Sequence, residues 1–479
     1  MLTRRGVMAG AAGLALAPAA WGQSLDGELG GDIAILRRAY DALHPGLYRY
    51  TTPRQMDARL GALTRDFAAV RTRADAYLTL SRFLATIRCG HTYANFYNQS
   101  DAVQAELFDS LPLLPFHFCW LNGRMVTLAN FSGNAMLGAG AEVVSIDGVP
   151  ARRILRTLLP YARADGGNDA KRRALLEVRG YDRYETFDIF YGLVFKPGGS
   201  FRVRVKPPGS PRVETVDVAA IDLTARRAAM QAGASDEGPA WTLSYPQRGT
   251  ALLTMPNWAL YNSSWDWRGF LDASFAGMQA RGVSKLICDV RGNEGGLDCG
   301  NDIIARFIDA DLSREGYQRR VRYRQTPDDL NRYLDTWDRS FRNWGEDAQP
   351  VGDGWYRLRG EADVERIAPK PPRLNAELIV LTDAQNSSAT FQFAELVQSN
   401  RIGRLVGQPT GGNQRGINGG AFFFLRLPAC GLEADLPLIG RFPLTPKPDA
   451  GLTPDVLVAP TRADIATGRD AVLAQALAI

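Results

Sequence analysis

The sequence predicts an α/β protein of three regions, and three changes in the spacing of its apolar residues carry that expectation. From about Leu25 to Ile87 they recur every three to four positions (Ile35, Leu36, Tyr40, Leu43; then Tyr77, Leu78, Leu80, Phe83, Leu84), the period of one helix face. From Leu113 to Ala220 they come in short alternating runs separated by turn residues, as in a small β-rich domain. From about Trp241 onward strands and helices alternate, which predicts a layered α/β core. The expected division is residues 24–105 for the helical region, 106–225 for the β-rich domain and 238–479 for the core, with an insertion at about 309–372.

Ahead of these lies MLTRRGVMAGAAGLALAPAAWGQS: a basic start, an Ala- and Gly-rich apolar stretch, and small residues Ala20 and Gly22 before a possible cleavage. Arg4-Arg5 after Thr3 resembles a bacterial twin-arginine export signal over residues 1–22. The expected location is therefore the periplasm or the exterior. The apolar stretch is short and broken by Gly and Pro, and no later segment has the roughly 18 uninterrupted apolar residues of a spanning helix, so no stable membrane span is expected.

At 479 residues, 45% hydrophobic and 22% charged, the chain has an ordinary globular composition, which excludes fibrous and disordered classes. Its net charge of +5, reduced to +3 without Arg4 and Arg5, is spread without long basic blocks, so nucleic acid is not an implied partner. Five cysteines (Cys89, Cys119, Cys288, Cys299, Cys430) are too few for a disulfide scaffold. Cys89-x-His91 resembles half a metal site, but only His44, His91 and His117 exist and no second Cys/His cluster completes it. Neither a metal nor a cofactor is implied.

In the β-rich domain, FHFCWLNGRMVTLANF predicts a hairpin around Asn122-Gly123, and FRVRVKPPG a late strand. Between them LGAGAEVVSIDGVPARRILRTLL predicts a strand Glu142 to Ile146, an Asp147-Gly148 turn and a helix from about Ala151, an order that resembles part of a PDZ domain. In the core, ALLTM, KLICDV, LIVL, RLVG and AFFFLRL read as strands, and WRGFLDASFAGMQARG as an amphipathic helix closed by Gly282. The insertion carries RRVRYR and YLDTWDRSFRNW, which suit either a solvated helix with a core face or a lid or substrate wall beside a site.

Two stretches of the core invite chemistry. In LIVLTDAQNSSATFQFAE, a buried strand (Leu378 to Leu381) gives way to a helix whose inward face is Ala389, Phe393, Leu396 and Val397, so Ser387 and Ser388 stand at a strand-to-helix turn. A serine there can merely cap the helix. The same position suits a nucleophile, because helix N-terminal N–H groups favour developing negative charge. The second stretch, DVRGNEGG, follows the buried strand KLICDV, and its glycines allow a tight turn and a close backbone approach. No G-x-S-x-G elbow is present.

Taken together, KLICDVRGNEGG, LIVLTDAQNSSATFQFAELVQ, RLVGQPTGG and GLTPDVLV resemble, in order and spacing, peptidase family S41, the tail-specific or C-terminal processing proteases and their tricorn relatives. The resemblance spans about Trp241 to Val458. It implies a crotonase/ClpP-like peptidase core and a serine peptidase acting on peptide or unfolded protein. The family's nucleophile segment falls on Ser388-Ala389, with Gln398 and Gly407 in register. One branch takes its base from a lysine where TGGN here has Asn413, and an amide cannot accept that proton. The other branch carries a GHT segment upstream, which falls on Gly90-His91-Thr92. His91 is thus the implied base, with an acid limb expected at about pH 6 to 7.5. Asp449 is the preferred orienting acid, with Glu433, Asp435 and Asp455 as alternatives. The implied oxyanion donors are the N–H groups of Ala389 and of Gly295 or Gly296. A peptide- or hydrophobic-ligand-binding protein with weak catalysis and an esterase are the alternatives on the same scaffold.

Overall fold

A computed structural model describes residues 25–180, 182–231, 241–313, 316–359 and 366–479. The export signal expected over residues 1–22 lies outside them. The core sheet has the strand order Val456–Leu457, Arg404–Gly407, Glu377–Thr382, Lys285–Asp289, Thr250–Thr254, Thr242–Gln247, parallel throughout except for the antiparallel edge pair Thr242–Gln247 and Thr250–Thr254. Its central strands are apolar at almost every position because both faces are covered. Leu286, Cys288, Leu378, Val380 and Leu405 face one cluster, with Phe275, Ile303, Phe393 and Val397; Ile287, Ile379, Leu381 and Val406 face Val472 and Ala476 on the other side.

The helix Ser388–Ser399 crosses from Glu377–Thr382 to its parallel neighbour Arg404–Gly407, and its buried residues include the four expected from periodicity. The neighbouring strands Lys285–Asp289 and Glu377–Thr382 end side by side, so the loops that follow them, DVRGNEGG and TDAQNSS, emerge together. Open parallel sheets bind ligands in such crevices at the carboxyl ends of their strands.

The β-rich region follows its sequence closely. Phe116–Leu121 and Arg124–Asn130 form the expected hairpin, with positive φ at both Asn122 and Gly123, the conformation that matches strand twist in a two-residue turn. Glu142–Ile146 and the helix Ala151–Leu158 stand where expected, joined through Asp147-Gly148, also both at positive φ.

Two expectations are corrected. AFFFLRL is not a strand of the α/β layer: Asn418–Leu427 pairs antiparallel with Leu432–Pro443 in a separate sheet. The insertion is neither a solvated helix nor a loose lid, since its strands Tyr317–Val321, Leu334–Asp335, Ala348–Gly352 and Trp355–Leu358 complete that sheet. Its aromatic run stays in short turns and packs Trp337 against Phe422 and Phe424. The helices Leu25–Leu43, Pro53–Ala68 and Arg73–Ala85 share one apolar core with the β-rich sheet and with this second sheet. Cys89 and Ala421 belong to that core, and the nearby His91 and Phe422 line the crevice.

Among the described residues no helix is long and apolar enough to cross a membrane. The five cysteines are buried and unpaired.

Candidate active site

The backbone at the strand-to-helix corner distinguishes the two serines. Ser387 occupies the N-cap position with extended φ and ψ, yet its hydroxyl makes no capping bond and instead donates to the Glu294 carbonyl at 3.2 Å. Ser388 has φ +51°, in the left-handed region that costs a residue with a Cβ roughly 1–2 kcal/mol. Such strain at a sharp strand-to-helix turn persists only where the surroundings enforce it.

Two asparagines do so. Asn386 donates to Val290 O at 2.5 Å and Asn293 O at 3.2 Å, accepts from Asp383 N at 2.8 Å, and offers its carbonyl to Gly411 and Gly412 N–H. Asn293, fully buried, donates to Met255 O and accepts from Thr390 Oγ1 at 2.9 Å and Gly295 N at 2.8 Å. The loops after the three adjacent strands are thereby locked together.

The bond from Gly295 N to Asn293 corrects one expectation: this N–H is already engaged and is not an oxyanion donor. Gly295 serves by having no side chain. At φ +102°, a Cβ there would lie 2.8 Å from Ala389 N and 2.8 Å from Ser388 Cβ. Among the described residues no backbone acceptor takes the N–H of Ala389 or of Gly296. Ala389 directly follows Ser388, and Gly296 lines the same cleft as Ser388.

A cleft opens over this corner, lined among others by His91, Tyr93, Arg163, Asp165, Lys171, Tyr261, Glu294, Gly295, Gly296, Ser388, Phe422 and Asp435. His91 is steadied by its neighbours: Gly90 N donates to Asp165 Oδ1 at 2.8 Å, Gly90 O accepts from Arg163 Nε at 2.9 Å, and Thr92 Oγ1 pairs with His44 Nε2 at 2.8 Å. Its ring centroid lies 5.7 Å from that of Phe422. Burial, and then the Arg163 charge, lower its pKa to about 4, so the imidazole is neutral at ordinary pH.

The structure does not bring Asp449, the preferred orienting acid, into hydrogen-bond contact with His91. Among the described residues His91 Nδ1 is buried without a hydrogen-bond partner, while Asp449 accepts from Asn413 Nδ2 at 2.7 Å and Gly167 N at 2.9 Å. Asp455 instead holds Leu405 N and Gln398, and Glu433 faces Arg426. Of the four acids considered, only Asp435 lines the cleft. It accepts from Asn95 and Asn98 at 2.9 and 2.8 Å, and burial raises its pKa to about 7. Asn413 is a buried brace, bonded to Asp449, Asp165 O and Arg415 N. His44 and His117 lie outside the cleft lining.

Several lining residues escaped sequence reasoning. Glu294 sat inside the glycine motif and could have been found there. Arg163, Lys171, Tyr93 and Tyr261 carried no local signal, because they reach the cleft from distant segments.

Residues 249–419 match peptidase family S41. No curated protein matches the chain in sequence. Among solved structures, that of mature CPAF complexed with lactacystin has a TM-score of 0.62 at 14% identity, covering 92% of this chain and 96% of that one. Mature CPAF alone gives 0.60 at 14% identity, with 92% and 94% covered. A photosystem II D1 C-terminal processing protease aligns more loosely, at 0.42 and 14% identity over 91% of this chain and 94% of that one. The likeness to CPAF is one of fold, whereas the family match falls on the strands and loops that build the Ser388 corner. The match over residues 249–419, which contain the Ser388 corner, supports a serine-type peptidase hydrolase.

Proposed function

We propose that the protein is an exported peptidase that cleaves peptide bonds through an acyl-enzyme on Ser388, with His91 as general base. The observation that carries this reading is Ser388 held at left-handed φ on a helix N-terminus, in one cleft with a neutral histidine. Ser388 Oγ attacks the scissile carbonyl carbon and its proton passes to His91. The carbonyl oxygen becomes an oxyanion that accepts from the N–H groups of Ala389 and Gly296. Collapse expels the amine, which takes the proton from His91; water, deprotonated by the same imidazole, then releases the acyl group and restores the serine. The twin-arginine-like start supports export, and the strand–turn–helix after Glu142 supports a PDZ-like middle domain.

A fluorophosphonate probe followed by peptide mapping tests the nucleophile, and comparison of peptide with ester turnover tests the bond cleaved. Labelling confined to Ser388 with peptide turnover is expected. A probe that leaves Ser388 unmodified sinks the reading. His91 Nδ1, which has no hydrogen-bond partner among the described residues, favours a second reading, a peptide-binding protein of weak turnover, for which the probe would label slowly or not at all.

Gly295→Ala is expected to slow labelling and turnover by about 10²-fold or more, since its Cβ would push against Ser388 and Ala389 and an ångström-scale displacement of reacting groups costs that much. Wild-type rates in a folded Gly295→Ala protein would show that the loop need not approach the serine so closely.

A further inference from the structure

Lys171 is a buried cation that the reaction above does not use. Its side chain is 4% exposed, and its ammonium donates to Glu294 Oε1 at 2.8 Å and to the Gln385 carbonyl at 2.7 Å. Arg163, 7% exposed, holds the other oxygen of Glu294 at 2.9 Å and stacks 4.1 Å from the centroid of the Tyr93 ring. Burial alone would push the Glu294 carboxyl up, but Lys171 and then Arg163 hold it at about 2. One carboxylate thus faces two cations, and Glu294 offsets part of the burial that lowers the Lys171 pKa.

The position of the acceptors matters more than the ion pairs themselves. Glu294 directly precedes Gly295-Gly296, and its carbonyl takes the Ser387 hydroxyl; Gln385 directly precedes Asn386, the brace of the Ser388 corner. One ammonium thus spans the two loops whose separation sets the distance between the Gly296 and Ala389 N–H groups. Lys171 itself comes from the helix Asp169–Leu175, outside the residues that match the peptidase family.

We infer that Lys171 is a positioning residue for the oxyanion donors, clamping the glycine loop against the loop that leads into the Ser388 helix through Glu294 and the Gln385 carbonyl. The inference rests on the reading of Ser388 as nucleophile. Lys171 does not replace His91 as the base. The Lys171 nitrogen is engaged by Glu294 and the Gln385 carbonyl, and no hydrogen bond joins it to Ser388. A merely structural ion pair would change how much protein folds; a clamp on the oxyanion donors changes the rate at each folded site.

The test uses the full chain with Lys171→Met and Glu294→Gln. Active sites are counted by fluorophosphonate labelling carried to completion, and kcat and KM are measured per labelled site on an unstructured peptide. Inhibition by a peptide aldehyde, whose tetrahedral adduct needs the same donors, is measured alongside. Lys171→Met is expected to lower kcat per labelled site by about 30- to 300-fold with KM within about threefold, and to weaken the aldehyde by a factor similar to that in kcat. Glu294→Gln keeps the size of the side chain, so it should fold. It is expected to show the same pattern at about tenfold or more, and the double variant should be little worse than Lys171→Met. Unchanged kcat per labelled site in Glu294→Gln, or a raised KM at constant kcat in either variant, overturns the inference even if Lys171→Met fails to fold. An unlabelled wild-type protein would instead overturn the nucleophile assignment, and the inference with it.

Discussion

Ser388→Ala is expected to lower kcat by on the order of 10⁴- to 10⁶-fold without unfolding the protein, because it removes the only atom in this scheme that bonds to substrate. Loss of the Oγ should leave the left-handed turn intact, since Asn386 and Asn293 enforce it from outside. The companion variant Ser387→Ala separates the adjacent hydroxyls. Ser387 donates to the Glu294 carbonyl, so its loss removes one neutral hydrogen bond, about 1 kcal/mol, and turnover should fall by roughly tenfold or less. Comparable collapse in both variants, or activity retained in Ser388→Ala, would show that the nucleophile is misassigned.

His91→Ala is expected to cost about 10⁴-fold in kcat, and the pH profile should show why. The base must be neutral to take the serine proton. With the imidazole lowered to about 4 by burial and Arg163, the limb of kcat/KM that belongs to His91 moves down toward pH 4, away from the range of 6 to 7.5 expected of an unperturbed histidine. Burial raises Asp165 to about 6 and Asp435 to about 7, and both line the cleft. A rise between pH 6 and 7.5 is therefore expected to flatten in Asp435→Asn or Asp165→Asn. A limb in that range that survives both substitutions, and vanishes only in the residual activity of His91→Ala, would assign it to imidazole and refute the burial argument. Far-UV circular dichroism must accompany the acid points. A histidine whose folded pKa lies below its unfolded value contributes stability that is fully present above the unfolded value, near 6.5, and lost as pH falls toward the folded one. His44, lowered to about 3 chiefly by burial, acts in the same direction as His91.

The expected elements near the site were legible because each is set by short-range spacing. A run such as Leu378 to Leu381 must be buried on both faces, and Ala389, Phe393, Leu396 and Val397 can share a buried face only on a helix, so the corner at Ser387-Ser388 follows from burial alone. Misreadings arose where the same local pattern serves two packings. AFFFLRL has the composition of a buried strand, and nothing within it tells the α/β layer from an antiparallel sheet; its pairing with Leu432–Pro443 and with Leu334–Asp335 from the insertion decides that. The aromatic run from Tyr333 to Trp344 is equally silent about its partners, which are Phe422, Phe424 and Tyr323.

By itself the sequence determined the region order, the strand-to-helix corner that holds Ser388 and the glycine loop beside it, since turns, strands and helix faces are encoded within a few residues of each other. Only the tertiary structure decided how hydrogen bonds are shared among the groups at that corner. Asp449 accepts from Asn413 and Gly167, and Asp435 from Asn95 and Asn98, more than 300 positions earlier in the chain. Lys171 and Arg163 meet Glu294 across more than 120 positions. A buried polar group must find a partner, but any donor or acceptor brought within about 3 Å will satisfy it, so its partner is chosen by the packing of whole sheets and not by its neighbours in sequence.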